Sequence, residues 1–157
     1  MSGAGLDSLY QEVIMDHSKQ RHGAGLREDA ATSSHQLNPT CGDELTLNLH
    51  VNATGDTIDS VSWDGQGCVI SQASMSMLHD LLGGLPVAQV EPRLAAFREM
   101  MRSKGQIEGD PDLLGDAVAL AGVSRYVARV KCAMLGWVAL EDAVRQLPPP
   151  DADLGHP

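Results

Sequence analysis

Three cysteines, Cys41, Cys68 and Cys132, are the residues of this 157-residue chain best suited to chemistry. An odd number leaves one over from any disulfide framework, which turns the question to thiolate reactivity or metal binding. Cys41 lies in Asn38-Pro39-Thr40-Cys41-Gly42-Asp43, where Pro39 fixes the approach, Gly42 permits a tight turn and Asp43 can point back to the same side. Cys68 follows Gly65-Gln66-Gly67 and opens a helical pattern, which sets its sulfur by the positive end of a helix dipole and favours the thiolate. Cys132 stands in Arg129-Val130-Lys131-Cys132, where two cations favour an ionised sulfur. Each cysteine is expected at a junction of elements. Should they converge, Cys41, Cys68, Cys132 and Asp43 supply three soft sulfurs and one carboxylate, a tetrahedral set suited to zinc. No CxxC pair is present, so spacing alone leaves open the plainer alternative of buried or incidental thiols.

The elements that must position these residues are legible in the periodicity. Leu6, Leu9, Tyr10, Val13 and Ile14 follow helical spacing, predicting a helix from Leu6 to about Lys19. Residues 20–40 are polar and Gly-containing, predicting mostly loop with a short strand before Pro39. After Asp43 the sequence alternates: Leu45, Leu47, Leu49 and Val51 share one face, with Thr46, Asn48, His50 and Asn52 on the other. Turn residues at 52–56 and the apolar Ile58, Val61 and Trp63 complete a hairpin over 43–66. From Cys68 to Leu82 the pattern is helical, stopped by Gly83-Gly84. Leu94, Phe97, Met100 and Met101 mark another helix, Asp110-Pro111 reads as an N-cap with proline at the first helical position, and a last helix runs from Val127 to Gln146 before Pro148-Pro149-Pro150. Strands early and helices late predict an α+β domain, a small antiparallel sheet of about three strands with helices packed on one face. Residues 1–147 form a single domain in this reading, and 148–157 a Pro-rich disordered tail.

Composition excludes several function classes. With 11 Lys and Arg against 21 Asp and Glu, the net charge of −10 repels a phosphate backbone, and one Phe, two Trp and two Tyr leave little with which to stack bases. Nucleic acid is therefore not an expected partner. No signal peptide and no stretch of membrane-spanning length is visible, predicting a soluble, cytoplasmic protein. The six histidines are scattered without HxxxH or HxH spacing and read mostly as surface residues, His50 by its place on the polar strand face.

The motifs around the cysteines add what spacing does not. Asn38-Pro39-Thr40-Cys41-Gly42-Asp43, Gly65-Gln66-Gly67-Cys68-Val69-Ile70-Ser71 and Arg129-Val130-Lys131-Cys132-Ala133-Met134-Leu135-Gly136-Trp137, in that order, resemble the SufU branch of the IscU/NifU-like family. The helix Leu9-Tyr10-Gln11-Glu12-Val13-Ile14-Met15-Asp16-His17 belongs to the same likeness, which spans residues 6 to about 147. Within the family, scaffold members resemble one another in a His before the third cysteine, where Lys131 stands here, and in a Leu-Pro-Pro-Val-Lys motif, replaced here by Val123-Ser124-Arg125-Tyr126. The longer stretch between Cys68 and Cys132 also resembles SufU.

The resemblance implies an IscU/SufE-like fold and one Zn2+ per chain on Cys41, Asp43, Cys68 and Cys132. It further implies a SufS-type, PLP-dependent cysteine desulfurase as partner, Cys41 as persulfide acceptor once a desulfurase histidine takes its place on zinc, and delivery to a SufBCD-type scaffold in iron–sulfur cluster assembly. Arg129 matches the family arginine near the site, where its fork could engage Asp43 or the partner. Two alternatives stay open. One is an IscU-type scaffold that builds a transient iron–sulfur cluster on the same ligands; the other is a zinc-stabilised interaction module without sulfur chemistry.

Overall fold

The computed structural model describes residues 2–39 and 42–148, with side chains from Ser8 onward. Helix α1 runs Ser2–Gln20, strands β1, β2 and β3 run Thr32–Asn38, Asp43–Val51 and Ile58–Gln66, and helices α2 and α3 run Val69–Leu82 and Val90–Arg102. A one-turn α4 (Pro111–Leu114) leads into a 3-10 stretch over Gly115–Arg125, and α5 (Val127–Arg145) closes the fold. The sheet is antiparallel in the order β1-β2-β3. The α+β expectation, a three-stranded sheet with helices, therefore holds.

Alternation along β2 and β3 does what the pattern requires. Leu45, Leu47 and Leu49 are buried, with Leu47 opposite Trp63 and Leu49 opposite Val61 across the ladder. That face receives α5 and α2. Phe97 of α3 stacks flat on Trp137 of α5, centroids 4.1 Å apart, a pair worth about 0.5–1.5 kcal/mol beyond its burial. The bidentate Arg98–Glu141 ion pair, at 2.6 and 2.8 Å, ties the same two helices together nearer the surface.

Three expectations need correction. The segment before Pro39 is a seven-residue strand rather than a short one: Ser34 and Leu37 pair with Leu47 and Glu44, so ladder hydrogen bonds override a polar composition. The helix expected from Pro111 through Leu113, Leu114 and Val118 is α-helical only over Pro111–Leu114 and continues as 3-10 helix over 115–125. His50 is buried, 5 % exposed, because residues 21–31 cross the sheet's other face: Arg27 N–H donates to Ser62 Oγ, Asn48 donates to Arg27 O, and Ala31 N–H donates to Leu49 O. The helices thus cover one face and this strap covers part of the other. The expected tail lies, from Pro149 onward, outside the described residues.

Candidate metal centre

Asp43 opens β2 directly opposite Asn38, the last residue of β1, and Gly42, with φ of 74°, donates its N–H to Asn38 O at 2.8 Å. That left-handed backbone is open to glycine at little cost. Thr40 and Cys41 lie outside the described residues, so the expected nucleophile is fixed here only by its neighbours in sequence.

Cys68 reaches Asp43 through sheet register. Glu44 faces Gln66 across β2 and β3, so the chain leaving β3 passes Asp43 before turning into α2. Cys68 is the N-cap of α2, as the pattern predicted, and its own N–H donates to Asp43 Oδ1 at 3.0 Å while its sulfur lies 3.7 Å from Oδ2. Gly67 leaves room for this contact: a Cβ there would stand 2.3 Å from Ser71 Oγ and 2.7 Å from Asp43 Oδ1. One carboxylate oxygen is thus held by the backbone at a helix N-terminus.

Cys132 corrects the expectation that every cysteine sits at a junction: it lies inside α5, 1 % exposed. What delivers it is the close approach of α5 to α2. A Cβ on Gly136 would come within 2.1 Å of Met75 Sδ, and Ser74 donates to Ala133 O at 2.8 Å, which sets the register of the two helices. Cys132, one turn before Gly136, is thereby carried to the start of α2.

The result is a donor set. Ligand atoms of Asp43, Cys68 and Cys132 all lie within 4.8 Å of one another. Donors on a tetrahedral zinc, with bonds of about 2.0–2.3 Å, stand roughly 3.3–3.8 Å apart, so these three fit one ion after small adjustments. Two sulfurs and a carboxylate suit zinc or iron by donor chemistry. Asp43 is 1 % exposed, and a buried carboxylate needs cationic or hydrogen-bonding company.

Arg129, three residues before Cys132 on α5, is no metal ligand by its chemistry. It is exposed, and its side chain makes no hydrogen bond or salt bridge among the described residues. It stands at the rim of a groove of about 530 Å3 between α1, the start of α2 and the start of α5, lined also by Tyr10, Met15, Val69, Arg125 and Tyr126. Val69, Tyr126 and Val127 are exposed apolar side chains there or beside it. The sequence reading missed this groove because its wall combines residues of four separate helical stretches.

The chain belongs to the NifU-like N-terminal domain family. The family model matches residues 9–133, which take in Cys41, Cys68 and Cys132. The chain is 40 % identical over 142 residues to the zinc-dependent sulfurtransferase SufU of Bacillus subtilis, covering 90 % of this chain and 92 % of that one. It is 36 % identical over 141 residues to the iron–sulfur cluster assembly scaffold protein IscU of Streptococcus pyogenes, covering 90 % and 86 %. Among solved structures it resembles FiSufU of Fervidobacterium islandicum, with a TM-score of 0.77 and 34 % identity over 85 % of this chain and 94 % of that one. As a NifU-like domain the chain is placed among proteins of iron–sulfur cluster assembly. Among the described residues no helix is long and apolar enough to cross a membrane.

Proposed function

We propose that this NifU-like domain is a zinc-dependent sulfurtransferase that accepts persulfide sulfur from a SufS-type cysteine desulfurase on Cys41 and hands it to a SufBCD-type scaffold. The observation that carries the reading is the convergence of Asp43, Cys68 and Cys132 beside the segment bearing Cys41. Cys41, Asp43, Cys68 and Cys132 would hold one Zn2+, whose chemistry when bound is that of a Lewis acid that keeps a thiol deprotonated yet restrained. The 40 % identity to a protein named as a zinc-dependent sulfurtransferase supports the relay. Lys131, where scaffold-type members resemble one another in a histidine, supports it too.

The steps then follow from the chain's own residues. Asp43, with Oδ1 engaged by the Cys68 N–H, presents its second oxygen to the site in one orientation. The Cys41 thiolate attacks the outer sulfur of the desulfurase persulfide: a bond forms from Cys41 Sγ to that sulfur, and the bond to the desulfurase cysteine breaks. The desulfurase cysteine leaves as thiolate, so no electrons enter or leave. The exposed Val69, Tyr126 and Val127 with Arg125 and Arg129 offer an apolar, basic-rimmed face next to Cys68 on which a desulfurase can dock, Arg129 engaging a carboxylate of the partner.

The donor set also favours a second reading. Thiolate and carboxylate donors of this kind also suit iron, and the chain is 36 % identical to a named scaffold, so an IscU-type scaffold holding a transient cluster remains the alternative. The deciding measurement is metal content together with stimulation of a cognate desulfurase, for wild type and Cys41→Ala. About one zinc per chain, with stimulation lost in the variant, supports the relay. Iron and acid-labile sulfide without zinc overturn it in favour of the scaffold, and zinc with stimulation intact in Cys41→Ala rules out Cys41 as acceptor.

A further inference from the structure

A second cluster of metal-binding side chains lies toward the other end of α2, roughly 18 Å along the helix from Cys68 at 1.5 Å per residue. His17 of α1, His22 in the turn after α1 and Asp80 of α2 bring ligand atoms within 4.8 Å of one another. His22 Nδ1 is 2.8 Å from Asp80 Oδ2. His17 Nε2 is 2.9 Å from Asp116 Oδ2, a carboxylate supplied by the 3-10 stretch, and the two imidazole rings meet edge to face at 5.2 Å. We propose that His17, His22 and Asp80 form a second divalent-cation site for a borderline d-block ion such as Zn2+, Ni2+ or Co2+, distinct from the thiolate centre.

The geometry favours a ligand set over an accidental contact. A histidine that binds metal through one ring nitrogen has the other held by a hydrogen-bond partner, which fixes the ring. Ser76 does this for His17: its Oγ lies 2.7 Å from Nδ1 and also accepts the His22 N–H at 3.0 Å. Nε2 is held in turn by Asp116 Oδ2, so one of the two partners yields its nitrogen when a cation enters and the other keeps the ring fixed.

Spacing points the same way. On a tetrahedral ion with bonds of about 2.0–2.1 Å, neighbouring donors stand roughly 3.3 Å apart. The separations here, from 2.8 Å to at most 4.8 Å, bracket that value. Access is open, because His17 is buried whereas the side chains of His22, Asp80 and Asp116 are 37 %, 43 % and 63 % exposed. Two imidazoles and a carboxylate, without sulfur, select against soft ions and suit zinc, nickel and cobalt. An ion held there clamps the end of α1 to α2.

The test uses the full chain already carrying one equivalent of zinc. Cobalt is titrated in and followed by absorption, with thermal unfolding measured against added Ni2+. Wild type is expected to take up one further equivalent with ligand-field bands and no thiolate-to-cobalt charge transfer, and to unfold at higher temperature as Ni2+ rises. His22→Ala and Asp80→Asn, both at partly exposed positions, are expected to weaken that second equivalent by at least about tenfold while the first stays bound. The proposal is overturned if zinc-loaded wild type takes no second equivalent, if the second equivalent survives both substitutions, or if the only cobalt signal carries thiolate charge transfer. No readout involves a desulfurase, so the result stands or falls apart from the sulfurtransferase reading.

Discussion

The two ends of α2 are built on different principles. At its start, Cys68, Cys132 and Asp43 come from a helix cap, a buried helix interior and a strand end, and they are held largely by backbone: sheet register, a main-chain N–H on Asp43, and glycines at 67 and 136 that let chains touch. Toward its end, His17, His22 and Asp80 are held by side chains, with Ser76 and Asp116 completing the set. Backbone-held donors keep their places when one of them leaves, which suits a centre whose ligand must detach to react. Side-chain-held donors support one another, so loss of one loosens the rest.

The largest expected effect that tests this contrast is Asp43→Ala. It removes a donor and leaves the Cys68 N–H without its acceptor, so zinc affinity should fall by more than the ~10–100-fold typical of losing an outer-shell partner, measured by competition with a chelator. An unchanged affinity would mean that Asp43 is no ligand. Gly67→Ala comes next. Its methyl must push aside Ser71 and Asp43, and a loss of about 10–100-fold in zinc affinity is expected with all donors still present. Full affinity there would show that backbone fit does not set the donor geometry.

At the other end, Ser76→Ala deletes the shared partner of the His17 ring and the His22 N–H. It should cost about 1–2 kcal/mol in urea unfolding without changing the first equivalent of zinc. A change at the thiolate centre would mean the two ends are coupled through α2. The smallest effect concerns His50, a buried imidazole outside both clusters. Burial first, then the nearby Arg27, hold its pKa below the ordinary 6.5, against the opposing pull of Asp29 and Asp59. Because the unfolded chain binds that proton more readily, the stability due to neutral His50 is present above pH 6.5 and is lost as pH falls through the lower folded value. His50→Gln should flatten that part of the stability–pH curve, and an unchanged slope would assign it to other groups.

Much of this was legible before any coordinates. The 3.6-residue spacing of Val69 to Leu82, the alternation of Leu45, Leu47 and Leu49, and Asp110-Pro111 as a cap, where Asp110 does accept the Asp112 N–H, are local signals that local structure obeys. The motif around each cysteine likewise pointed to the family. Less legible were the strand over 32–38, whose polar residues are ordered by pairing with β2, and the burial of His50, which depends on a strap arriving from twenty residues upstream.

The sequence by itself determined most of the elements and the family and singled out the sulfur and carboxylate candidates, because periodicity, caps and short motifs are properties of neighbouring residues. Only the tertiary structure decided that Cys132 lies inside a helix, that Arg129 stands on a groove rim, and that His17, His22 and Asp80 share a corner. The physical reason is that these placements follow from how closely α2 approaches α1 and α5, set by Gly136 against Met75 and by Ser74 and Ser76 at the helix contacts. Such contacts join residues some sixty positions apart, and no local pattern encodes them.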